Sequence, residues 1–114
     1  MHVGFSSIGI SQLSLEYVGI PVNAKNLDGS SFNPTGDTVQ MAFIPQPTQV
    51  PQVSDWQSCI WATMTGNILY PYAAYCLIGP GGTIQLGIGT YIIYIKFTDS
   101  PGIPVQIAGQ LQVA

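Results

Sequence analysis

The stretch that decides the fold is residues 90–98, which read TYIIYIKFT. Two sets of side chains alternate along it: Tyr91, Ile93, Ile95 and Phe97 on one face, and Ile92, Tyr94, Lys96 and Thr98 on the other. A period of two is typical of a β-strand, and β-branched and aromatic residues favour that conformation. Because both faces carry large side chains, we expect a central strand of a sheet.

Similar segments lie on both sides of this strand, and residues that form turns separate them. We predict further strands at residues 13–22, 37–44, 56–65, 72–78, 83–86 and 105–113. Residues 26–36, 79–82 and 99–102 are rich in Gly, Pro, Asp and Asn and are predicted as turns or loops, and the prolines at 45, 47 and 51 indicate an extended connector.

No segment shows a helical period, and about seven short strands predict an all-β fold. We interpret it as an immunoglobulin-like antiparallel β-sandwich, with a jelly roll or a small barrel as alternatives. The chain of 114 residues fits one domain. We expect residues 12–114 to form the sandwich and residues 1–11, which lack a clear period, to form an N-terminal arm that orders against a partner.

The composition is unusual in its charge. Charged residues make up 6% of the chain, against about 25% in an average soluble domain. The basic residues are Lys25 and Lys96, and there is no arginine. A free monomer normally covers its surface with charged side chains. The chain is therefore either a secreted neutral domain or a subunit whose faces are covered by neighbours, and its mean hydropathy of +0.34 favours the second.

The same deficit excludes several partners. Nucleic-acid binding uses lysine and arginine to neutralise phosphates, and anionic membranes attract basic clusters, so we expect neither partner. No apolar run approaches the roughly 18 to 20 residues that span a bilayer. Residues 1–5 do not resemble a secretory signal, which favours synthesis in the cytoplasm.

Residues capable of catalysis are few. His2 is the one histidine, and it lies in the predicted arm, where no fold would hold it in place. Asp28, Asp37 and Asp99 lie in turn contexts, where aspartate commonly bonds its own backbone. A serine or cysteine nucleophile would lack a base, and zinc would lack ligands. We therefore expect that the protein is not an enzyme and that it has no catalytic, cofactor-binding or metal site. The loop aspartates Asp28 and Asp37 give only a weak indication of calcium binding.

The glycine-rich turn at residues 79–82 does not indicate phosphate binding. A P-loop needs Gly-Lys-Ser or Gly-Lys-Thr leading into a helix, whereas here Thr83 leads into a predicted strand. The two cysteines, Cys59 and Cys76, are too close in sequence to be the inter-sheet pair of antibody domains, and we predict them to be reduced core thiols.

Aromatic residues are the remaining candidates for a binding site. They are Trp56, Trp61, Tyr70, Tyr72, Tyr75, Tyr91 and Tyr94. On one interpretation they form a platform that stacks on sugars. On the favoured one they fill the core and line interfaces, where Tyr and Trp are enriched.

Several segments occur in an order that resembles a known family. They are SLEYV (14–18), DTVQMAF (37–43), DW (55–56) with Trp61, GTY (89–91), TDSP (98–101), IPV (103–105) and AGQL (108–111). The pattern resembles small virion proteins of tailed phages and prophages of actinobacteria and, more loosely, immunoglobulin-like modules of baseplate proteins. The resemblance implies no catalytic residues.

What the resemblance implies is a structural role in the virion. The leading expectation is a capsid decoration or minor capsid protein that binds the major capsid protein and is oligomeric in the particle. The alternatives are a head–tail connector, tail or baseplate component, and then a carbohydrate-binding module or host adhesin. Sheet edges pair readily with other chains, and we expect the strands at residues 37–44 and 105–113 to be such edges.

Overall fold

The computed structural model describes residues 2–24, 28, 30, 33–45, 50–64, 66, 70–98 and 103–114. Within these ranges the chain forms nine strands and two short 3-10 helices, and the strands form two sheets. The prediction of an all-β sandwich is therefore confirmed, with nine strands where about seven were expected. The predicted turn at residues 99–102, with Asp99, lies outside the described residues, as do Lys25, residues 26, 27, 29, 31 and 32 of the predicted loop, and residues 46–49 of the connector.

The strands in chain order are β1 (His2–Val3), β2 (Ser6–Ile10), β3 (Glu16–Asn23), β4 (Thr38–Pro45), β5 (Gln57–Ser58), β6 (Ile60–Thr63), β7 (Tyr72–Ile78), β8 (Gly89–Thr98) and β9 (Val105–Val113). The 3-10 helices are η1 (Pro34–Gly36) and η2 (Val53–Asp55). No helix in the described part of the chain is long and apolar enough to cross a membrane.

One sheet has the order β1-β3-β7-β6 and the other has the order β2-β9-β8-β4-β5. The predicted central position of β8 is confirmed, because two strands flank it on each side. Its register with β9 shifts between Ile93 and Tyr94: Ile93 lies opposite Gly109, and Tyr94 lies opposite Ile107. Ala108 is thus the extra residue of a β-bulge in β9.

The core lies between the two sheets and follows the period-two pattern of the sequence. The residues that alternate inwards include Val18, Ile20 and Val22 of β3, Val39, Met41 and Phe43 of β4, and Ile93, Ile95 and Phe97 of β8. Full burial of an aliphatic or aromatic side chain contributes roughly 1.5 to 3 kcal/mol. Burial of these apolar side chains therefore stabilises the sandwich. None of the described residues with a polar or charged side chain is buried.

The prediction of an N-terminal arm at residues 1–11 is wrong for the described residues of that segment. β1 pairs with β3, and β2 pairs with β9 of the same chain. Ile8 packs against the core and Ile10 is buried in it, so burial within the domain holds the segment. The β2–β9 pair is also parallel, unlike the antiparallel arrangement expected throughout.

The expected edge at residues 105–113 is also wrong, because β9 lies between β2 and β8. The strand at residues 37–44 corresponds to β4, which β5 covers over two residues, Gln40 and Met41. The edges of the five-stranded sheet are thus β2 and β5, and those of the four-stranded sheet are β1 and β6.

The single strand predicted at residues 56–65 is divided between the two sheets. β5 pairs with β4 in one sheet, and β6 pairs with β7 in the other. The change of sheet occurs at Cys59, whose backbone N–H still donates to the Val39 carbonyl of β4 at 3.1 Å. One continuous segment therefore caps an edge of each sheet, and we call residues 57–63 the capping segment.

The strand predicted at residues 83–86 is not formed. Ile84 makes one isolated bridge to Ile78, and the Thr83 N–H donates to the Leu77 carbonyl at 2.8 Å. The turn predicted before it is present, closed by a hydrogen bond from the Gly82 N–H to the Gly79 carbonyl at 2.9 Å. Gly79 has a φ of +127°, and a Cβ there would overlap the Ser14 carbonyl oxygen, so this position requires glycine.

Candidate functional site

The residues with catalytic or metal-binding potential are dispersed. Within the described ranges, no group of three His, Cys, Asp or Glu comes together. Glu16 and Asp28 are exposed, and Asp37 and Asp55 are half-buried on different segments. Asp55 caps η2 by accepting a hydrogen bond from the Gln52 N–H at 2.7 Å.

Asp28, one of the two weak calcium candidates, is engaged by its own turn. The Ser30 hydroxyl donates to its carboxylate at 2.6 Å and the Ser30 N–H donates to it at 2.9 Å. These hydrogen bonds, the hydroxyl's first, lower the pKa of Asp28 below its ordinary value. The second candidate, Asp37, ends η1 by donating its N–H to the Pro34 carbonyl.

The aromatic residues do not share one platform. Trp61 faces inwards, where its ring stacks on Phe97 with centroids 6.0 Å apart and its Nε1–H donates to the Asp37 carbonyl at 2.9 Å. Tyr72 and Tyr91 also pack against the core. These contacts assign much of the aromatic content to packing.

Trp56 lies on the outer side of the five-stranded sheet. The Lys96 ammonium lies 4.5 Å from the centroid of its ring, in a cation–π contact. Lys96 alternates with the buried Ile95 and Phe97, which is why it points away from the core. This contact takes up one of the two basic side chains of the protein.

An apolar cluster lies on the outer face of the four-stranded sheet. Gly19 of β3 is opposite Tyr75 of β7, which is opposite Ile60 of β6, so these residues form a row across three strands. The Tyr75 ring lies over Gly19 in the space that a Cβ would occupy. Tyr17, two residues before Gly19 on the same face, meets Tyr75 edge to face, with ring centroids 6.0 Å apart and planes at 76°.

We call Tyr17, Ile60 and Tyr75 the apolar outer face. Tyr17 is 55% exposed and Ile60 is 56% exposed, although burial would be favourable for both. Two open grooves adjoin the cluster, and none of the residues that line them is charged. The grooves are lined by Ile8, Tyr17, Gly19, Pro21, Ile60, Met64, Ala73 and Tyr75.

Other large apolar side chains are also exposed to solvent. On β9 these are Val105 and Ile107, and elsewhere they include Phe5, Leu13, Leu15, Val50, Val53, Ile88 and Ile103. Isolated exposed apolar residues are normal in soluble proteins, but a contiguous group marks a contact surface more often. The apolar outer face is such a group, since Tyr17 touches Tyr75, and Tyr75 is the cross-strand neighbour of Ile60.

The two cysteines lie at the change of sheet. Both are free thiols; Cys76 is buried and Cys59 is half-buried. Both belong to the packing of the core, as the sequence predicts. The Cys59 thiol donates to the Gln57 carbonyl at 3.5 Å. Its interaction with the Cys76 thiol, together with burial, raises the pKa of Cys59, and the same interaction lowers the pKa of Cys76.

The geometry thus defines a sparsely charged β-sandwich with an apolar outer face and two neighbouring thiols, one buried and one half-buried. No family model, no curated protein and no solved structure matches this chain. Inferences about its function therefore rest on its composition and its surface.

Proposed function

We propose that this chain is a non-enzymatic structural subunit of a tailed-phage virion, a capsid decoration protein that binds the major capsid protein. The observation that carries the structural role is the combination of 6% charged residues with exposed apolar side chains. Neighbouring subunits that cover such a surface remove it from water. The phage particle as the setting rests on the resemblance of the segments quoted above.

The apolar outer face supplies the contact in this proposal. Complete burial of a large apolar side chain contributes roughly 1.5 to 3 kcal/mol, so covering a side chain that is half exposed, such as Tyr17 or Ile60, contributes about half of that. Interfaces are enriched in aromatic residues and depleted of charge at their centre. A cluster of two tyrosines and an isoleucine without a charged lining residue fits this composition.

The alternative positions in the particle use the same type of surface. A head–tail connector, tail or baseplate subunit would also be covered by neighbours, and only its location separates it from a decoration protein. Sugar stacking needs a platform of open ring faces, whereas Trp61, Tyr72 and Tyr91 pack against the core. This use of the aromatic residues supports protein contacts over a carbohydrate platform.

The first experiment measures whether the protein is part of the particle. Virions of the phage or prophage that encodes the chain are purified, and the copy number is measured by quantitative mass spectrometry. A decoration protein gives a copy number that is a large, fixed fraction of that of the major capsid protein. A few copies per particle would indicate the neck, tail or baseplate, and absence from the particle would overturn the proposal.

The second experiment tests the surface with a matched pair of variants. Ile60→Lys places a charge on the apolar outer face, and Val53→Lys makes the same kind of change at η2, where the side chain is 94% exposed. Val53→Lys should keep the free energy of unfolding within about 0.5 kcal/mol of the parent. Ile60→Lys replaces a half-exposed side chain and should lower it by no more than about 1.5 kcal/mol. We expect Ile60→Lys to reduce incorporation into particles at least tenfold and Val53→Lys to leave it unchanged. Equal incorporation of both would exclude this face as the contact.

A further inference from the structure

The strand register brings Cys59 close to Cys76. In the antiparallel β6–β7 pair, Ile60 lies opposite Tyr75 and Trp61 lies opposite Ala74. Cys59 directly precedes Ile60 and Cys76 directly follows Tyr75, so the two cysteines adjoin the end of this ladder, at the point where the chain passes to the other sheet. Directly opposed residues in an antiparallel pair have Cα atoms about 4.5 to 5.5 Å apart, and disulfides usually span about 4.4 to 6.8 Å.

Both side chains point to the same side of the sheet. Cys76 alternates with outward-facing Tyr75 and Leu77 and is 1% exposed within the core. Cys59 has the same orientation as Trp61, and both pack against that core. Both thiols pack against the same core and each shifts the pKa of the other, so the two side chains are neighbours.

We propose that Cys59 and Cys76 form a thiol pair that closes to an intramolecular disulfide on exchange with a small-molecule disulfide such as oxidised glutathione. The proposal does not depend on the assignment to a virion. It concerns a covalent modification of the chain itself, at the point where the capping segment passes from one sheet to the other.

The exchange takes place in two steps. The Cys59 thiol, the more accessible of the two, loses its proton and attacks one sulfur of glutathione disulfide, which forms a mixed disulfide and releases one glutathione thiolate. The Cys76 thiolate then attacks the Cys59 sulfur and releases the second glutathione thiolate. Two cysteine thiols are oxidised and one glutathione disulfide is reduced to two thiols.

Accessibility, rather than acidity, sets this order. The neighbouring Cys76 thiol and burial raise the pKa of Cys59, which slows the first step. Closure should therefore become faster as the pH rises, because the fraction of Cys59 in the thiolate form increases.

The disulfide would fasten the capping segment. β5 contributes only two residues to its sheet and β6 only four to the other, so few backbone hydrogen bonds hold this segment against the edges of β4 and β7. A covalent bond at Cys59 ties the midpoint of the segment to β7. Detachment of the segment would then require local unfolding of an interior strand.

The test uses the full chain under native conditions in glutathione buffers of increasing oxidised fraction. Alkylation followed by mass spectrometry counts free thiols, and we expect both to disappear together, with a loss of about 2 Da and no glutathione adduct. The product should remain a single chain on a non-reducing gel. The midpoint of thermal unfolding should rise by roughly 10 °C, as for a disulfide that closes a short loop.

Hydrogen exchange supplies a local measurement. Amides in residues 57–63 should exchange at least tenfold more slowly in the oxidised protein than in the reduced one, whereas those of β8 should not change. Cys59→Ser is the control because that side chain is only half-buried: its thermal midpoint should not respond to the glutathione buffer. A stable glutathione adduct at Cys59, a disulfide between two chains, or unchanged exchange in residues 57–63 would each overturn the proposal.

Discussion

Replacing Gly109 with alanine should loosen the N-terminal strand β2 while the rest of the sandwich stays folded. Gly109 lies opposite Ser6 in the parallel β2–β9 pair. A Cβ at Gly109 would overlap the Ser6 carbonyl oxygen and would lie 2.9 Å from the Ser6 nitrogen. These are backbone atoms that no side-chain rotation can move, so β2 itself must shift away from β9.

The magnitude follows from two costs. Forcing an extra methyl group into a filled site costs about 1 to 3 kcal/mol, and Gly109 has a φ of +157°, where a residue with a Cβ adds about 1 kcal/mol or more of backbone strain. We therefore expect the free energy of unfolding to fall by about 2 to 4 kcal/mol. The thermal midpoint should fall by roughly 8 to 16 °C, at about 4 °C per kcal/mol for a domain of this size.

Gly9→Ala is the matched control, because Gly9 lies in the same ladder, opposite Gln112, and a Cβ there meets nothing within 4 Å. Its free energy of unfolding should stay within about 0.5 kcal/mol of the parent. Denaturant titration measures both variants, and hydrogen exchange should show faster exchange across Ser6–Ile10 in Gly109→Ala alone. Equal stability of the two variants, or a loss of stability without faster exchange in β2, would refute the reasoning.

Three further changes test other parts of the structure. Trp61→Phe removes the hydrogen bond to the Asp37 carbonyl and should cost about 1 to 2 kcal/mol in denaturant titrations; no change would show that solvent replaces this bond at no cost. Phe97→Ala empties a fully buried site and should cost about 3 to 5 kcal/mol, and a smaller loss would mean that the core collapses around it. Asp28 has a lowered pKa, so its ionised form stabilises the fold above the unfolded pKa, and this contribution is lost as the pH falls through the folded pKa. Ser30→Ala removes the larger cause and should raise the Asp28 midpoint in an NMR titration, while an unchanged midpoint would contradict the assigned cause.

The strands that local sequence predicts best are those with a sustained apolar pattern. β4 and β8 place β-branched, aromatic or other apolar residues at a period of two, and β7 is hydrophobic at every position. Each of the three forms close to its predicted bounds. In β2 the sequence Ser-Ser-Ile-Gly-Ile offers only two large apolar side chains, and two residues with no apolar bulk precede them. Its place in the sheet is set by pairing with β9, about 100 residues away along the chain, which no local pattern encodes.

The division of residues 56–65 between two sheets has no local signal either. The residues on both sides of Cys59 favour extended backbone, so the sequence is compatible with one strand or two. The same crossing between the sheets brings Cys59 beside Cys76. Sequence separation had excluded an inter-sheet pair, but it could not reveal a pair at a crossing between sheets.

The apolar outer face could be predicted only in part. Alternation places Tyr17 on the face opposite to Val18 and Ile20, as the structure has it. That Tyr75 and Ile60 join Tyr17 depends on the register of β3 with β7 and of β7 with β6. The three residues are far apart in sequence, and register is set by the whole sheet. No local pattern therefore predicts that they meet.

The parallel direction of β2 and β9 determines how the domain responds to mechanical force. Ser6 pairs with Gly109 and Ile10 pairs with Val113, so tension that draws Ser6 and Val113 apart along the strand axis shears the two strands past each other. The hydrogen bonds of the pair then share the load and must rupture nearly together, whereas an antiparallel pair pulled at adjacent ends would unzip one bond at a time. A tether attached at these two ends would therefore hold against considerable tension before the sandwich opened.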